Sequence, residues 1–144
     1  MGMETVGRVL TEAKIENLQD QWDFLRGMLP AEQVRSAIVP DALVDTGATR
    51  LSLPTSLISQ LGLRRTGSKQ VRTSLGIGTT QVYEAVRLTI QDRDCLVDVV
   101  EVPDGTPILI GQVPLELLDF IVDPKNHVLI GDPRHGGEFI IEMY

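Results

Sequence analysis

The chain has 144 residues, enough for one domain to bury a core without disulfide or metal staples. Hydrophobic residues make up 42% and charged residues 23%, the balance of an ordinary globular protein rather than a disordered or fibrous one. A formal net charge of −7 with scattered Lys and Arg argues against nucleic acid and against anionic membranes, which need a basic face.

The single cysteine, Cys95, rules out an intrachain disulfide and reads as a small buried hydrophobe. No apolar stretch approaches the ~20 residues of a membrane-spanning helix. Met1 to Leu10 lacks the apolar centre of a signal peptide. The expected location is the cytoplasm.

In chain order, short apolar runs alternate with turn residues, the pattern of many short strands. Gly7 to Asn17 alternates loosely and reads as a strand. Trp22 to Leu29 is left open between a strand and a turn of helix, because its periodicity does not decide. Val34 to Val39 reads as a strand, Pro40-Asp41 as a bend, and Ala42-Leu43-Val44 as a short apolar strand. Arg50 to Leu53 alternates again. Pro54 to Leu61 reads as a short helix, with Pro54 at its first position, Leu57, Ile58 and Leu61 on one face, and Gly62 as the stop.

Lys69 to Leu75 and Thr80 to Ile90 read as hairpin arms around Gly76-Ile77-Gly78. Gln91 to Asp94 turns into Leu96 to Val102, Pro103 to Pro107 is a loop, and Ile108-Leu109-Ile110 is a buried strand. Val113 to Leu118 reads as a second short helix. Phe120 to Val122, Val128 to Ile130 and Glu138 to Met143 read as the last strands. No repeat or low-complexity tract interrupts the chain. The expectation is one all-β domain over 1–144, with a closed or folded-over sheet and two short helices.

The segment that carries chemistry is Ala42-Leu43-Val44-Asp45-Thr46-Gly47-Ala48-Thr49. It places an aspartate at the end of an apolar strand, followed by residues that permit a tight turn. A carboxylate set deep in this way must be hydrogen-bonded, paired or shifted in pKa. Thr46 and the turn's backbone N–H groups are the candidate donors. Asp-Thr-Gly alone arises by chance in roughly 3% of chains of this length, so the flanking residues carry the specificity.

With those flanks the segment resembles the active-site signature of the retropepsin-like aspartic proteases. Two further features occur in the order that family has them. Ile108-Leu109-Ile110-Gly111 precedes a short helix, and a hairpin over Lys69 to Ile90 lies between the two motifs. The resemblance covers about Val34 to Asp123, leaving N- and C-terminal extensions. It implies an endopeptidase with Asp45 as catalytic carboxylate and Thr46, Gly47 and Ala48 completing the turn. It further implies a flap with Leu75, Gly76, Ile77 and Gly78 over the substrate, and Leu109, Ile110 and Gly111 as cleft support. No metal or cofactor is implied, and the partners are a polypeptide substrate and a second copy of the chain.

The second copy follows from a count. Hydrolysis by two carboxylates needs one to accept a proton and one to donate it, yet the chain has a single Asp-Thr-Gly and no Asp-Ser-Gly. Asp45 of each subunit would therefore meet on a two-fold axis. Ala48 stands where pepsin-like relatives carry a serine donor to the carboxylate, which implies activity toward weakly acidic or neutral pH. The alternative function is a silent peptide-binding or dimerisation module on the same fold.

The chain also departs from the retroviral pattern, which places Asp at the position of Thr49 and Arg at that of Gln112. Its long termini make it resemble small prokaryotic members of the clan. Gly7 to Ile15 or the tail around Phe139-Ile140-Ile141 could supply intersubunit strands, or the tail could form an intrachain hairpin with Val128 to Ile130. Arg50 is either a cleft residue favouring acidic or polar substrate side chains or a solvated charge. His127 and His135 read as isolated, with no metal-spaced cluster. Ser52 and Ser56 lack a nearby histidine in sequence. Trp22 reads as core or interface packing, and Asp92, Asp94, Asp98, Asp119 and Asp123 as turn or surface charges.

Overall fold

The computed structural model describes residues 8–140. Strands make up 49% of the described residues, and the all-β expectation holds. Nine strands appear among the described residues: β1 (Val9–Asn17), β2 (Ser36–Val44), β3 (Leu51–Pro54), β4 (Arg65–Thr73), β5 (Gly76–Ile90), β6 (Arg93–Val102), β7 (Leu109–Ile110), β8 (Phe120–Asp123) and β9 (Val128–Gly131). Three helices accompany them: α1 (Leu18–Leu25), α2 (Thr55–Gln60) and α3 (Gln112–Leu117).

Seven strands form one sheet in the order β1-β2-β7-β3-β6-β5-β4. β1 also pairs antiparallel with β5, from Lys14↔Thr89 to Asn17↔Val86. That seam closes six of the strands into a barrel, which leaves β4 outside as the free arm of a hairpin with β5. Closure removes the open edges of those six strands, and β4 keeps a free one. β8 and β9 form a separate two-stranded sheet.

The barrel closes around residues that alternate along its strands. Val9, Ala13 and Ile15 of β1, Leu51 and Leu53 of β3, Val86, Leu88 and Ile90 of β5, and Val97 and Val99 of β6 form one buried cluster. Each fully buried Leu or Ile contributes about 1.5–3 kcal/mol relative to an exposed one. Ile58 and Leu61 from the α2 region and Leu115 and Leu118 from the α3 region cap the cluster. Cys95 packs partly buried against it. Burial first, then the nearby Asp94 carboxylate, pushes its thiol up to about 12, so it stays protonated and unreactive at neutral pH.

Several local expectations change. Pro40-Asp41 does not break the strand, because β2 runs unbroken from Ser36 to Val44. The register instead jumps from Thr11↔Ala42 to Ala13↔Val39, a bulge that spends the two residues where proline cannot donate. The segment left open at Trp22 to Leu29 is in part helix α1, a third helix beyond the two expected. Its signal was the N-cap: Asn17 Oδ1 accepts from Asp20 N at 3.0 Å. Pro54 precedes α2 as its N-cap and is not its first residue. Trp22 is half exposed.

β1 is paired with β2 along most of its length and with β5 over its second half, so its described residues act within the chain. Gly7 lies outside the described residues. The expected strand over Glu138 to Met143 is absent at Glu138, Phe139 and Ile140, and the rest lies outside the described residues. Val128 to Ile130 pairs with β8 rather than with the tail. Phe139 instead stacks on Arg93, whose guanidinium also covers Phe120 at 4.6 Å. No described helix is long and apolar enough to cross a membrane.

Asn17 sits where β1, α1 and α2 converge. It is fully buried, caps α1, and donates from Nδ2 to Leu61 O at 2.8 Å. Replacement by alanine leaves two buried groups unpaired, and Asn17→Ala should lose about 2 kcal/mol in urea unfolding.

Asp20, one turn on, is gripped by the Arg35 guanidinium at 2.8 and 3.0 Å and by Arg35 N at 3.0 Å. The hydrogen bonds from the Arg35 side chain hold its carboxyl below the ordinary range. A folded-state pKa depressed in this way stabilises above the unfolded value of about 3.9, and the contribution fades as pH falls through the lower folded value. Asp20→Asn should therefore be destabilised at pH 7 and should lose less on acidification than wild type, as read by thermal melts from pH 7 to pH 2.

Candidate active site

Asp45 follows directly on the end of β2. Its strand runs parallel to β7, with Leu43↔Leu109 and Val44↔Ile110 in register. β3 then passes on the other side of β7, antiparallel to it. The chain from Asp45 to Arg50 is thus a loop joining two strands that flank a third, and five backbone hydrogen bonds tie it down. Leu43 N donates to Ile108 O at 2.8 Å and Asp45 N to Ile110 O at 3.0 Å. Gly111 N donates to Arg50 O at 3.0 Å, Gln112 N to Ala48 O at 2.8 Å, and Val113 N to Thr49 O at 3.0 Å.

The last three bonds use N–H groups at the start of α3, which have no partner inside the helix. The turn therefore serves as the helix's cap, and the helix as the turn's clamp. Thr49 and Gln112, which depart from the retroviral pattern, are joined here through backbone: the helix start meets the carbonyls of Ala48 and Thr49. The Gln112 side chain turns to Glu116 at 3.1 Å. Gly111 permits the approach, because a Cβ there would stand 2.6 Å from the Thr49 carbonyl carbon and 2.7 Å from Arg50 N and O.

Within the turn, Gly47 N donates to Asp45 Oδ1 at 2.9 Å, and Ala48 N to Asp45 O at 3.1 Å. Asp45 is half-buried rather than deep, and one backbone donor serves its carboxylate. Thr46, an expected donor, is exposed and bonds to no described group. The second oxygen of Asp45 has no described hydrogen-bond partner.

A cleft of about 700 Å³ opens beside the turn. Gly47, Ala48, Thr49 and Arg50 form one wall, Ser52, Val100, Val102 and Leu109 the floor, and Lys69, Val71 and Thr80 the underside of the β4–β5 hairpin. Of the expected site residues, Gly47, Ala48 and Leu109 line this cleft. Asp45 adjoins it in the chain, Ile110 lies in the core beneath, and Gly111 locks the turn. Leu75, Gly76, Ile77 and Gly78 do not line it. The hairpin turns at Ser74-Leu75, so Gly76-Ile77-Gly78 belongs to β5, paired with Thr73, Arg72 and Val71. Leu75 and Ile77 are 98% and 66% exposed at the outer end of the hairpin.

Sequence reasoning missed the floor. Ser52 and Val100 come together through the parallel β3–β6 pairing, a contact between segments some fifty residues apart that no local pattern announces. Arg50 lies in the cleft wall and pairs with Asp98 at 2.8 Å.

The two histidines are not equivalent. His127 sits in a left-handed turn, while His135 Nδ1 meets Asp119 Oδ2 at 2.7 Å. Asp119, Asp132 and His135 come within 4.8 Å, a grouping that sequence spacing did not suggest. Their charges are already engaged. Arg134 forks onto Asp132 and holds its carboxyl down to about 2, and Ile140 N donates to Asp119. This arrangement is a folded corner of the chain held by ion pairs and hydrogen bonds.

The family of gag-polyprotein putative aspartyl proteases matches residues 38–116, more than half of the chain. That span runs from β2 through the Asp45 turn and the hairpin to α3, the parts that build the cleft. The chain belongs to this family of retropepsin-like aspartyl proteases. No curated protein matches it.

Gly111→Ala should force the turn off the helix. We expect a loss of about 1–3 kcal/mol in stability, with the amide of Gln112 changing from slow to fast hydrogen exchange.

Proposed function

We propose that the protein is an aspartic endopeptidase that works as a homodimer, with one Asp45 from each subunit forming the catalytic pair. The observation that carries this reading is the solitary Asp-Thr-Gly turn, clamped by β7 and α3 at the rim of a cleft of about 700 Å³. A fold serving only to bind gains nothing from a half-buried carboxylate held in a locked turn.

The chemistry needs a second carboxyl. Aspartic proteases are the standing example of two carboxyls about 3 Å apart that hold one proton between them. The ionised member takes a proton from a water lying between them, and that water's oxygen bonds to the peptide carbonyl carbon. The protonated member gives its proton to the carbonyl oxygen. Collapse of the resulting diol breaks the C–N bond, and a proton passes to the leaving nitrogen. The pair titrates as a unit.

Within one subunit, the bond from Gly47 N orients Asp45 and leaves its other oxygen for water. In this reading the exposed Thr46 bonds to the partner's turn across the axis. The β4–β5 hairpin serves as the flap: its outer end, with the exposed Leu75 and Ile77, closes on substrate and excludes water. Ala48 brings no hydroxyl to the carboxylate, in keeping with activity at weakly acidic to neutral pH.

Digestion of a denatured protein should separate wild type from Asp45→Asn by at least about 10³-fold, the scale on which loss of an essential catalytic group acts. Sedimentation should find both as dimers. Equal digestion by the two proteins, or a monomer that digests at full rate, overturns the reading.

A further inference from the structure

The β4–β5 hairpin and the cleft floor share one face of the sheet, and register shows which side chains meet there. On β6, Val97 and Val99 point into the core, so Asp98, Val100 and Val102 point to the cleft. Val82 pairs with Val100 and faces the same way, as does Thr80 two residues before it. Across the hairpin, Lys69 is the direct partner of Thr80, and Val71 of Gly78. Lys69 and Val71 therefore share the face of Thr80, while Gln70 and Arg72 alternate to the other face yet also border the cleft, so Arg72 adds to its positive charge.

The charge on this face is one-sided. Glu101 is the acidic residue of the lining, but its carboxylate is on the opposite face. There it accepts from Thr55 Oγ1 at 2.6 Å and from Tyr83 OH at 3.2 Å. Arg50 spends its charge on Asp98 at 2.8 Å, leaving that pair close to neutral. Lys69 forms no ion pair among the described residues. An unbalanced cation thus hangs over the cleft of a chain whose net charge is −7. Such a focused field attracts the opposite charge more strongly than open surface does.

We propose that the cleft selects polypeptides with an aspartate or glutamate close to the bond presented to Asp45, and that Lys69 is the residue that reads this acidic side chain. The Arg50–Asp98 pair adds a second contact, since an incoming carboxylate can share the Arg50 guanidinium with Asp98. This rests on the endopeptidase reading, and the experiment keeps the two apart.

Three peptides differing only in one residue beside the cleavage site (Glu, Gln or Lys) are assayed for cleavage by wild type. Their binding to Asp45→Asn is measured in parallel by fluorescence anisotropy, where no turnover is needed. We expect the Glu peptide to bind and to be cleaved about fivefold better than the Gln peptide, the scale of a half-exposed ion pair, with the Lys peptide below both. The contrast should shrink at 1 M salt, where screening acts within about 3 Å. Lys69→Glu, in the wild-type and Asp45→Asn backgrounds, should invert the order, and Lys69→Gln should flatten it. Equal binding of the three peptides, or an order that Lys69→Glu leaves unchanged, overturns the selectivity. Charge-ordered binding without cleavage of any peptide overturns the endopeptidase reading and leaves the selectivity standing.

Discussion

The backbone clamp between the Asp45–Arg50 turn and the start of α3 is the constraint on which the site depends. Carbonyls of the turn satisfy helix N–H groups that would otherwise go unpaired, and strand β7 fixes the turn's two ends, pairing parallel with β2 and antiparallel with β3. Neither partner is stable in that form alone: α3 is only six residues long, well below the length at which a helix holds itself together. Turn and helix are therefore one cooperative unit, and the absence of a side chain at Gly111 lets them touch. Side chains would hold an aspartate less rigidly than this lattice of main-chain bonds.

Around that unit the barrel distributes its roles by sheet face. One face of β3, β5 and β6 packs the core through leucines, isoleucines and valines, while the other builds the cleft from Ser52, Thr80, Val100 and Val102. Strict alternation lets a short chain serve both purposes with the same strands. The bulge in the β5–β6 register between Tyr83 and Val86 marks where β5 leaves the barrel wall, allowing Tyr83 and Val82 to keep opposite allegiances.

Much of this was legible in the residues. Period-two patterning located most of the strands, and Ala42 to Thr49 and Ile108 to Gly111 identified the turn and its clamp because both are local. Three things were not legible. Pro40 signalled a break, but a bulge on the β1–β2 ladder absorbed it. α1 was hidden because its apolar residues, Trp22 and Leu25, remain largely exposed and produce no core-facing stripe. The hairpin tip was displaced by two residues because Gly76 and Gly78 look like the turn, whereas Ser74 and Leu75 make it. The cleft floor, built by pairing between distant segments, lay beyond any local pattern.

Strand β5 has a consequence of its own. Its fifteen residues reach about 50 Å at strand spacing. Its far half is a stave of the barrel, bonded on both sides by β1 and β6, and its near half is paired chiefly with β4 out in solvent. One continuous strand is thus anchored like a beam in a wall at Ile90 and free like a cantilever at Gly76. The hairpin can bend without a hinge, with compliance rising steadily toward its tip. The anchored end sits at the barrel's seam, so any bending load on the hairpin reaches the place where the fold itself is joined.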